Sequence, residues 1–267
     1  MLSPFRAAAL QFPVAMGDVD ANVSRAFALL RDAAEGGTAL CVLPEMWSTG
    51  FSYDNLRALC GTTPGILADL RRFAGDRRVV IAGSLPERSG RSVYNTLYVI
   101  DSTGEVAGEY RKTHLFSPSG ENLHFRRGTD ASTVLTSVGR IGPQICYDIR
   151  FPELSRKYVS EGATLFCVPA QWPTVRKAHW DLLTVARAVE NQLFVVAANA
   201  VGRSGDFQYS GGSVIASPWG ERLSQGGEYE GVVTATIDPA MVDEARRRIP
   251  CAKDRNVRAY RKTRPKR

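Results

Sequence analysis

Histidine, cysteine and long apolar runs are the scarce features of this 267-residue chain, and each scarcity excludes something. The three histidines (His114, His124, His179) stand at no ligand-like spacing and no H-E-x-x-H occurs, so a metal site is not expected. The five cysteines (Cys41, Cys60, Cys146, Cys167, Cys251) are odd in number and contain no C-x-x-C, which excludes a disulfide framework or zinc ribbon and favours a reducing cytoplasm. Apolar runs are short pieces such as Leu165–Ala170, far from the roughly 20 residues of a membrane span. Residues 7–10, before Gln11 and Pro13, are too short for a secretory apolar region. G-x-S-x-G, G-x-G-x-x-G and G-x-x-x-x-G-K-[ST] are missing too, so neither a serine elbow nor a nucleotide cofactor is expected, and no cofactor of any kind.

What is present is globular: 44% hydrophobic and 23% charged residues, with 24 Gly and 14 Pro to supply turns. A chain of this length can bury a sizeable core as one domain. The net charge of +7 is localised, because residues 255–267 hold seven Lys or Arg and no acid, leaving 27 basic against 27 acidic residues elsewhere. We therefore divide the chain into a neutral domain, 1–254, and a basic tail, 255–267. A solvated, frayed terminus is favoured over a nucleic-acid contact, so neither nucleic acid nor membrane is expected as a partner.

Apolar periodicity alternates between strand and helix. Strands are predicted over 5–11, 39–43, 79–83, 140–146, 164–168 and 194–199, and helices over 18–35, 64–74, 152–161 and 179–191. Asp18 is placed to cap the first helix and Gly36-Gly37 to stop it, while Pro64 suits a first helical turn. Ser102-Thr103-Gly104, between strands over 94–101 and 105–110, is hairpin chemistry and makes the sheet mixed. A second antiparallel pair is predicted for 212–216 and 232–237 across Pro218-Trp219-Gly220. Strands apolar on both faces need covering layers, which the helices supply, giving an α/β fold.

Three polar residues stand where predicted strands end: Glu45 after 39–43, Lys112 after 105–110, and Cys146 at the close of 140–146. Alone, such a Glu or Lys is usually a solvated charge and such a Cys a small buried hydrophobe. Together they supply what a thiol needs to attack a carbonyl carbon: a base for its proton and a donor for the oxyanion. Glu45 can be the base and Lys112 the donor. An apolar wall of Met46, Trp47 and Phe51 would raise the Glu45 pKa toward neutrality, against the pull of Lys112.

Pro44-Glu45, Arg111-Lys112 and Cys146-Tyr147-Asp148-Ile149-Arg150-Phe151-Pro152-Glu153-Leu154 resemble, in order, the three signature segments of the nitrilase, or carbon-nitrogen hydrolase, superfamily. The similarity runs from Phe5 to about Arg255. It implies a four-layer α-β-β-α sandwich with mixed sheets, Cys146 as the nucleophile that forms an acyl-enzyme, and Glu45 as general base. Lys112 and the backbone N–H of Tyr147 would hold the tetrahedral intermediate. Glu121, in Gly120-Glu121-Asn122-Leu123-His124-Phe125, stands at the place of the family's second glutamate, which positions Lys112 or the substrate amine.

Cys146-Tyr147-Asp148, in place of the Cys-Trp-Glu of nitrile-cleaving members, is similar to the amidase branches. Glu45-Met46-Trp47-Ser48-Thr49-Gly50-Phe51 and Trp172-Pro173-x-x-Arg176-x-x-His179-Trp180 resemble the omega-amidase group, which deamidates 2-oxo acid amides such as 2-oxoglutaramate. The far carboxylate of such substrates calls for a guanidinium, for which Arg150 and Arg176 are the candidates. Trp47, Phe51 and Trp172 complete the expected substrate-binding set. Trp47 stands where this branch often has Phe and would reduce room near Glu45; Pro143-Gln144 stand where small or apolar residues are more usual. Cys41, Cys60, Cys167 and Cys251 are assigned to structure. His114 or His179 could pair with Cys146 as in papain-type sites, but that family's local signature is absent. The resemblance implies a homodimer through 152–161 and 179–191. The rival readings are an N-carbamoyl amino acid amidohydrolase of the same superfamily and a non-catalytic scaffold or basic-tail binding module.

Overall fold

In a computed structural model describing residues 2–260, the first strand, β1 (Phe5–Gln11), already shows the plan of the molecule. Ala7 and Ala9 point into one apolar core and Ala8 and Leu10 into another, as the two-residue period of a strand requires. After β1 come α1 (Val19–Glu35), β2 (Thr38–Val42), α2 (Leu56–Leu59), α3 (Thr63–Arg77), β3 (Val80–Ser89), β4 (Ser92–Ile100) and β5 (Val106–Arg111). The second half contains α4 (Glu121–His124), β6 (Val134–Thr136), β7 (Gly139–Pro143), α5 (Pro152–Ser160), β8 (Leu165–Ala170), α6 (Lys177–Asn191) and β9 (Phe194–Asn199). The ribbon β10 (Val201–Ser204) and β11 (Phe207–Ser210) follows, then β12 (Val214–Ala216), β13 (Arg222–Gln225), β14 (Gly231–Ile237), α7 (Ala240–Arg248) and α8 (Cys251–Asp254).

Two six-stranded mixed sheets, ordered β14-β1-β2-β3-β4-β5 and β13-β12-β9-β8-β7-β6, stack on each other. Each has three parallel strands at its centre, β1-β2-β3 in one and β7-β8-β9 in the other. Between them lie Ala7, Ala9, Leu40, Val42 and Val80 from the first sheet and Ile141, Leu165, Cys167 and Val196 from the second. On the outer face of the first sheet, Ala8, Leu10, Cys41 and Ile81 meet Ala26, Leu30 and Ala33 of α1 and Ile66, Leu70 and Ala74 of α3. α5 and α6 cover the second sheet with Leu154, Tyr158, Trp180 and Ala188. The result is the expected α-β-β-α sandwich.

Local chemistry sets the ends of the helices. Asp18 Oδ1 accepts from the Ala21 N–H at 3.1 Å and Gly36 closes α1, while Pro64 and Pro152 occupy the first turns of α3 and α5. Two expectations are corrected. β12 pairs with β13 across the Pro218-Trp219-Gly220 turn, whereas β14 leaves for the other sheet and pairs antiparallel with β1. The exposed Glu221–Gln225 segment lacks the apolar run of 232–237, so sequence favours the wrong partner. The strand expected over 140–146 ends at Pro143, which carries no N–H to continue a ladder. Gln144 is buried there and donates to Ser155 Oγ of α5 at 2.9 Å.

Cys41, Cys60 and Cys167 are buried, but Cys251 is exposed and takes no part in the core. Among the described residues no helix is long and apolar enough to cross a membrane. Of the basic segment 255–267, residues 261–267 lie outside the described residues.

Candidate active site

Glu45 and Gln171 follow the parallel strands β2 and β8, and Cys146 follows β7, so the carboxyl ends of both sheets converge on one place. The Glu45 backbone joins them: its N–H donates to the Ala170 carbonyl at 3.3 Å, and its carbonyl accepts from Gln171 Nε2 at 2.8 Å. Lys112 arrives from the end of β5, where its N–H donates to the Asn95 carbonyl at 2.9 Å. Arg111, one residue earlier, reaches across β4 to hold Glu87 of β3 with Nε and Nη2, and its guanidinium stacks 4.1 Å from the Tyr94 ring. This cross-strand clamp fixes the strand that delivers the lysine.

Lys112 Nζ donates to Glu45 Oε1 at 2.7 Å and to Glu121 Oε1 and Oε2 at 3.0 and 2.9 Å. All three side chains are about 1% exposed. Glu121 is held further by the Phe116 N–H, which donates to Oε2 at 2.6 Å. Burial and the neighbouring Glu121 push the Glu45 carboxyl above its usual value, and Lys112 pulls against them. Burial disfavours the Lys112 charge, yet Glu121 and Glu45 outweigh it and hold the ammonium well above its usual value.

Cys146 opens a tight helical turn, residues 146–150, with its own φ at +46°. This left-handed backbone is uncommon outside glycine and costs about 1–3 kcal/mol. Asp148 holds it: one oxygen accepts from the Ile145 N–H at 2.9 Å and from the Tyr110 hydroxyl at 2.9 Å, while the other meets His114 Nδ1 at 2.8 Å. The Cys146 thiol lies beside the Glu45 carboxylate in the cavity lining. Burial and the Glu45 charge raise the thiol well above its usual pKa, so it rests as a thiol and needs a base to become a nucleophile. Tyr147 contributes one of the first N–H groups of the turn, which have no acceptor within it.

The cluster forms the floor of a cavity of about 430 Å³. Phe51, Tyr53, Phe116, Trp172 and Tyr209 give it aromatic walls, and Arg150 and Arg176 lie in its lining. Arg150 stacks 4.6 Å from the Trp172 ring and donates to His179 Nδ1 at 3.1 Å; Arg176 lies 5.0 Å from the Phe116 ring. Among the described residues neither guanidinium is ion-paired with a carboxylate.

The carbon-nitrogen hydrolase family model matches residues 6–247. The chain belongs to the carbon-nitrogen hydrolase family. It is 38% identical over 247 residues to the 2-oxoglutaramate amidase of Bacillus subtilis (strain 168), covering 92% of this chain and 95% of that one. It is 34% identical over 272 residues to omega-amidase NIT2 of Danio rerio, covering 97% of each. The solved structure of Saccharomyces cerevisiae Nit3, a member of branch 10 of the nitrilase superfamily, superposes with a TM-score of 0.87 at 28% identity, covering 95% and 97% of the two chains. This carbon-nitrogen hydrolase is an enzyme acting on amide C–N bonds.

Against the site residues read from the sequence, the hydrolase brings Glu45, Lys112, Glu121, Cys146 and Tyr147 together and lines the cavity with Phe51, Arg150, Trp172 and Arg176. Trp47 is the exception. It is fully buried in the core between the first sheet and its helices, with its ring nitrogen against Gly83, where a Cβ would come within 3.1 Å. The left-handed Met46 (φ +45°) turns consecutive side chains apart, so proximity to Glu45 in sequence misleads. His114 and His179 serve Asp148 and Arg150, and neither meets Cys146.

Three residues escaped the sequence reading. Gln171 donates its backbone N–H to Glu45 Oε2 at 3.1 Å, Asp148 braces the cysteine turn, and Asn95 contacts both carboxylates. Asn95 left a signal: it occupies an inward position of β4 between Val93 and Leu97, where an apolar residue is the norm.

Proposed function

We propose that the chain hydrolyses the terminal amide of a small carboxylate-bearing 2-oxo acid amide, such as 2-oxoglutaramate, to the acid and ammonia through a thioester on Cys146. The names of the relatives, 2-oxoglutaramate amidase and omega-amidase, support the substrate class. The observation that carries it to this chain is the pair of half-buried arginines in the cavity lining, neither ion-paired with a carboxylate among the described residues. Burial and Arg176 both lower the Arg150 pKa, so an anion bridging the two would relieve a like-charge contact.

In this reading Glu45 takes the thiol proton as Cys146 Sγ attacks the amide carbon. The carbonyl electron pair moves to oxygen, where Lys112 and the Tyr147 N–H receive it. Glu45 returns the proton to the departing ammonia as the C–N bond breaks. The same carboxylate then takes a proton from water, whose hydroxide equivalent attacks the thioester and releases the acid. Glu121 orients Lys112. We further assign the chain to the cytoplasm, in keeping with five free thiols, and to a homodimer through α5 and α6, where Leu182 and Val189 are exposed apolar residues.

Steady-state assays with 2-oxoglutaramate, an N-carbamoyl amino acid and an uncharged amide of similar length test the reading. The expected order of kcat/KM places the oxo acid amide first, with ammonia as the only gas-forming product. Carbon dioxide with ammonia from a preferred N-carbamoyl substrate overturns it in favour of the carbamoyl hydrolase, and no turnover with any amide leaves the scaffold reading.

A further inference from the structure

Asn95 lies between the two carboxylates and is fully buried. Its Nδ2 donates to Glu45 Oε1 at 2.9 Å and to Glu121 Oε1 at 3.2 Å, and among the described side chains only Lys112 also contacts both. The amide has one workable orientation, since turning it over would set its oxygen against two carboxylate oxygens with no hydrogen between them. In the orientation it has, Oδ1 is buried with no partner. An unpaired buried carbonyl costs stability, and an apolar side chain of similar size would avoid that cost. Filling space in the core therefore does not account for the residue.

Its effect is to make the two oxygens of Glu45 different. Oε1 accepts from Lys112 Nζ at 2.7 Å and from Asn95 Nδ2 at 2.9 Å, which occupies its two lone pairs. Oε2 accepts from the Gln171 N–H at 3.1 Å and keeps one lone pair. We propose that Asn95 is a positioning residue for the reaction, directing the Cys146 proton to Glu45 Oε2 and keeping the Glu45 carboxylate ionised at working pH. As the S–H bond breaks, the proton forms a bond to Oε2 and the sulfur electron pair goes to the amide carbon. A neutral donor suits this place. The titratable groups around Glu45 are Lys112, Glu121, Cys146, Tyr53 and Tyr209, and Asn95 offsets burial there without adding a further charge.

The inference rests on Glu45 being the base, and the test separates the two. The pH profile of kcat/KM on an uncharged amide is measured for wild type, Asn95→Leu, Asn95→Ser and Glu45→Gln. Removing a donor from an ionised carboxylate raises its pKa, so in Asn95→Leu the acid limb moves up by about one pH unit, with activity below the limb falling about tenfold and KM little changed. Asn95→Ser, small enough to admit a water that donates in its place, gives a smaller upward shift and carries the test if the leucine variant does not fold. An acid limb at the wild-type position in the folded variants, with any loss of activity tracking a lower Tm, overturns the role of Asn95. If Glu45→Gln keeps a wild-type acid limb, the base assignment itself falls, and the inference with it.

Discussion

Lys112 Nζ lies 2.7 Å from Glu45 Oε1 inside a site where both side chains are 1% exposed. One ammonium therefore faces two buried carboxylates, because Glu121 shares it. Breaking a buried pair strands a charge, so Lys112→Met should lose about 3–5 kcal/mol of stability near neutral pH. The loss should shrink in acid. Burial already raises the Glu45 carboxyl against the pull of Lys112, so without the ammonium it titrates higher still in the folded than in the unfolded chain, and protonation favours the fold. That contribution is present below the unfolded carboxylate pKa and lost as pH rises through the folded one. Urea unfolding from pH 4 to 8 should show the variant closest to wild type at the acid end. Losing the oxyanion donor should also lower kcat by about 2.7–4 kcal/mol, and Lys112→Arg should not restore it, because a planar fork does not replace a compact ammonium.

The two arginines make a charge-specific prediction. Arg150→Ala should lower kcat/KM for a 2-oxo acid amide by about 1.5–3 kcal/mol, the worth of hydrogen bonds to a charged group, and leave a short uncharged amide nearly unaffected. Equal losses on both substrates would make Arg150 a brace for the Trp172 and His179 side of the cavity instead.

The layers were readable because the strands that build them are short apolar runs such as 39–43 and 79–83, and because Ala26, Leu30 and Ala33 repeat as a helix face must. The fate of β14 was not, since a strand's choice between two sheets depends on contacts more than 200 residues away, such as Phe5 with Ile237. The same holds within the site. Glu45, Lys112 and Cys146 sit at strand ends, where sequence marks them. The turn after Cys146 departs from the strand because of a backbone angle and an Asp148 brace that only the folded chain brings together. Trp47 was misread for a related reason, a left-handed residue before it.

The Arg111–Glu87 clamp predicts a gap to wild type that also closes in acid, here because wild type itself loses stability. Burial raises the Glu87 carboxyl, but hydrogen bonds from Arg111 and Thr96 outweigh it and hold the pKa below the usual value. A depressed pKa contributes stability above the unfolded value, and that contribution is lost as pH falls through the folded one. Glu87→Gln should cost on the order of 1 kcal/mol at neutral pH after solvent screening of the partly exposed Arg111. The difference from wild type should shrink as pH falls below the ordinary glutamate range, as read by denaturant midpoints. Because β5 delivers Lys112, kcat should fall along with the midpoint.

Glu45→Gln distinguishes the base from the rest of the site. The glutamine oxygen can still accept from Lys112 and Asn95 at the Oε1 position, but its NH₂ then replaces Oε2 and can no longer receive the thiol proton. Amide hydrolysis should be lost, since both the thiol and the departing ammonia depend on that oxygen. An activated ester makes a smaller demand, because its leaving group needs no proton and the thiol can ionise unaided as pH rises. Acylation of Cys146 by such an ester should therefore persist and accelerate with pH, whereas water still lacks its base and the thioester should accumulate. Intact-protein mass spectrometry after ester addition should show one acyl group on Cys146 in Glu45→Gln and little in wild type. If the variant instead turns over the ester at the wild-type steady rate with no adduct, deacylation uses another base, and Glu121, held 2.9 Å from the same Lys112, is the carboxylate to replace next.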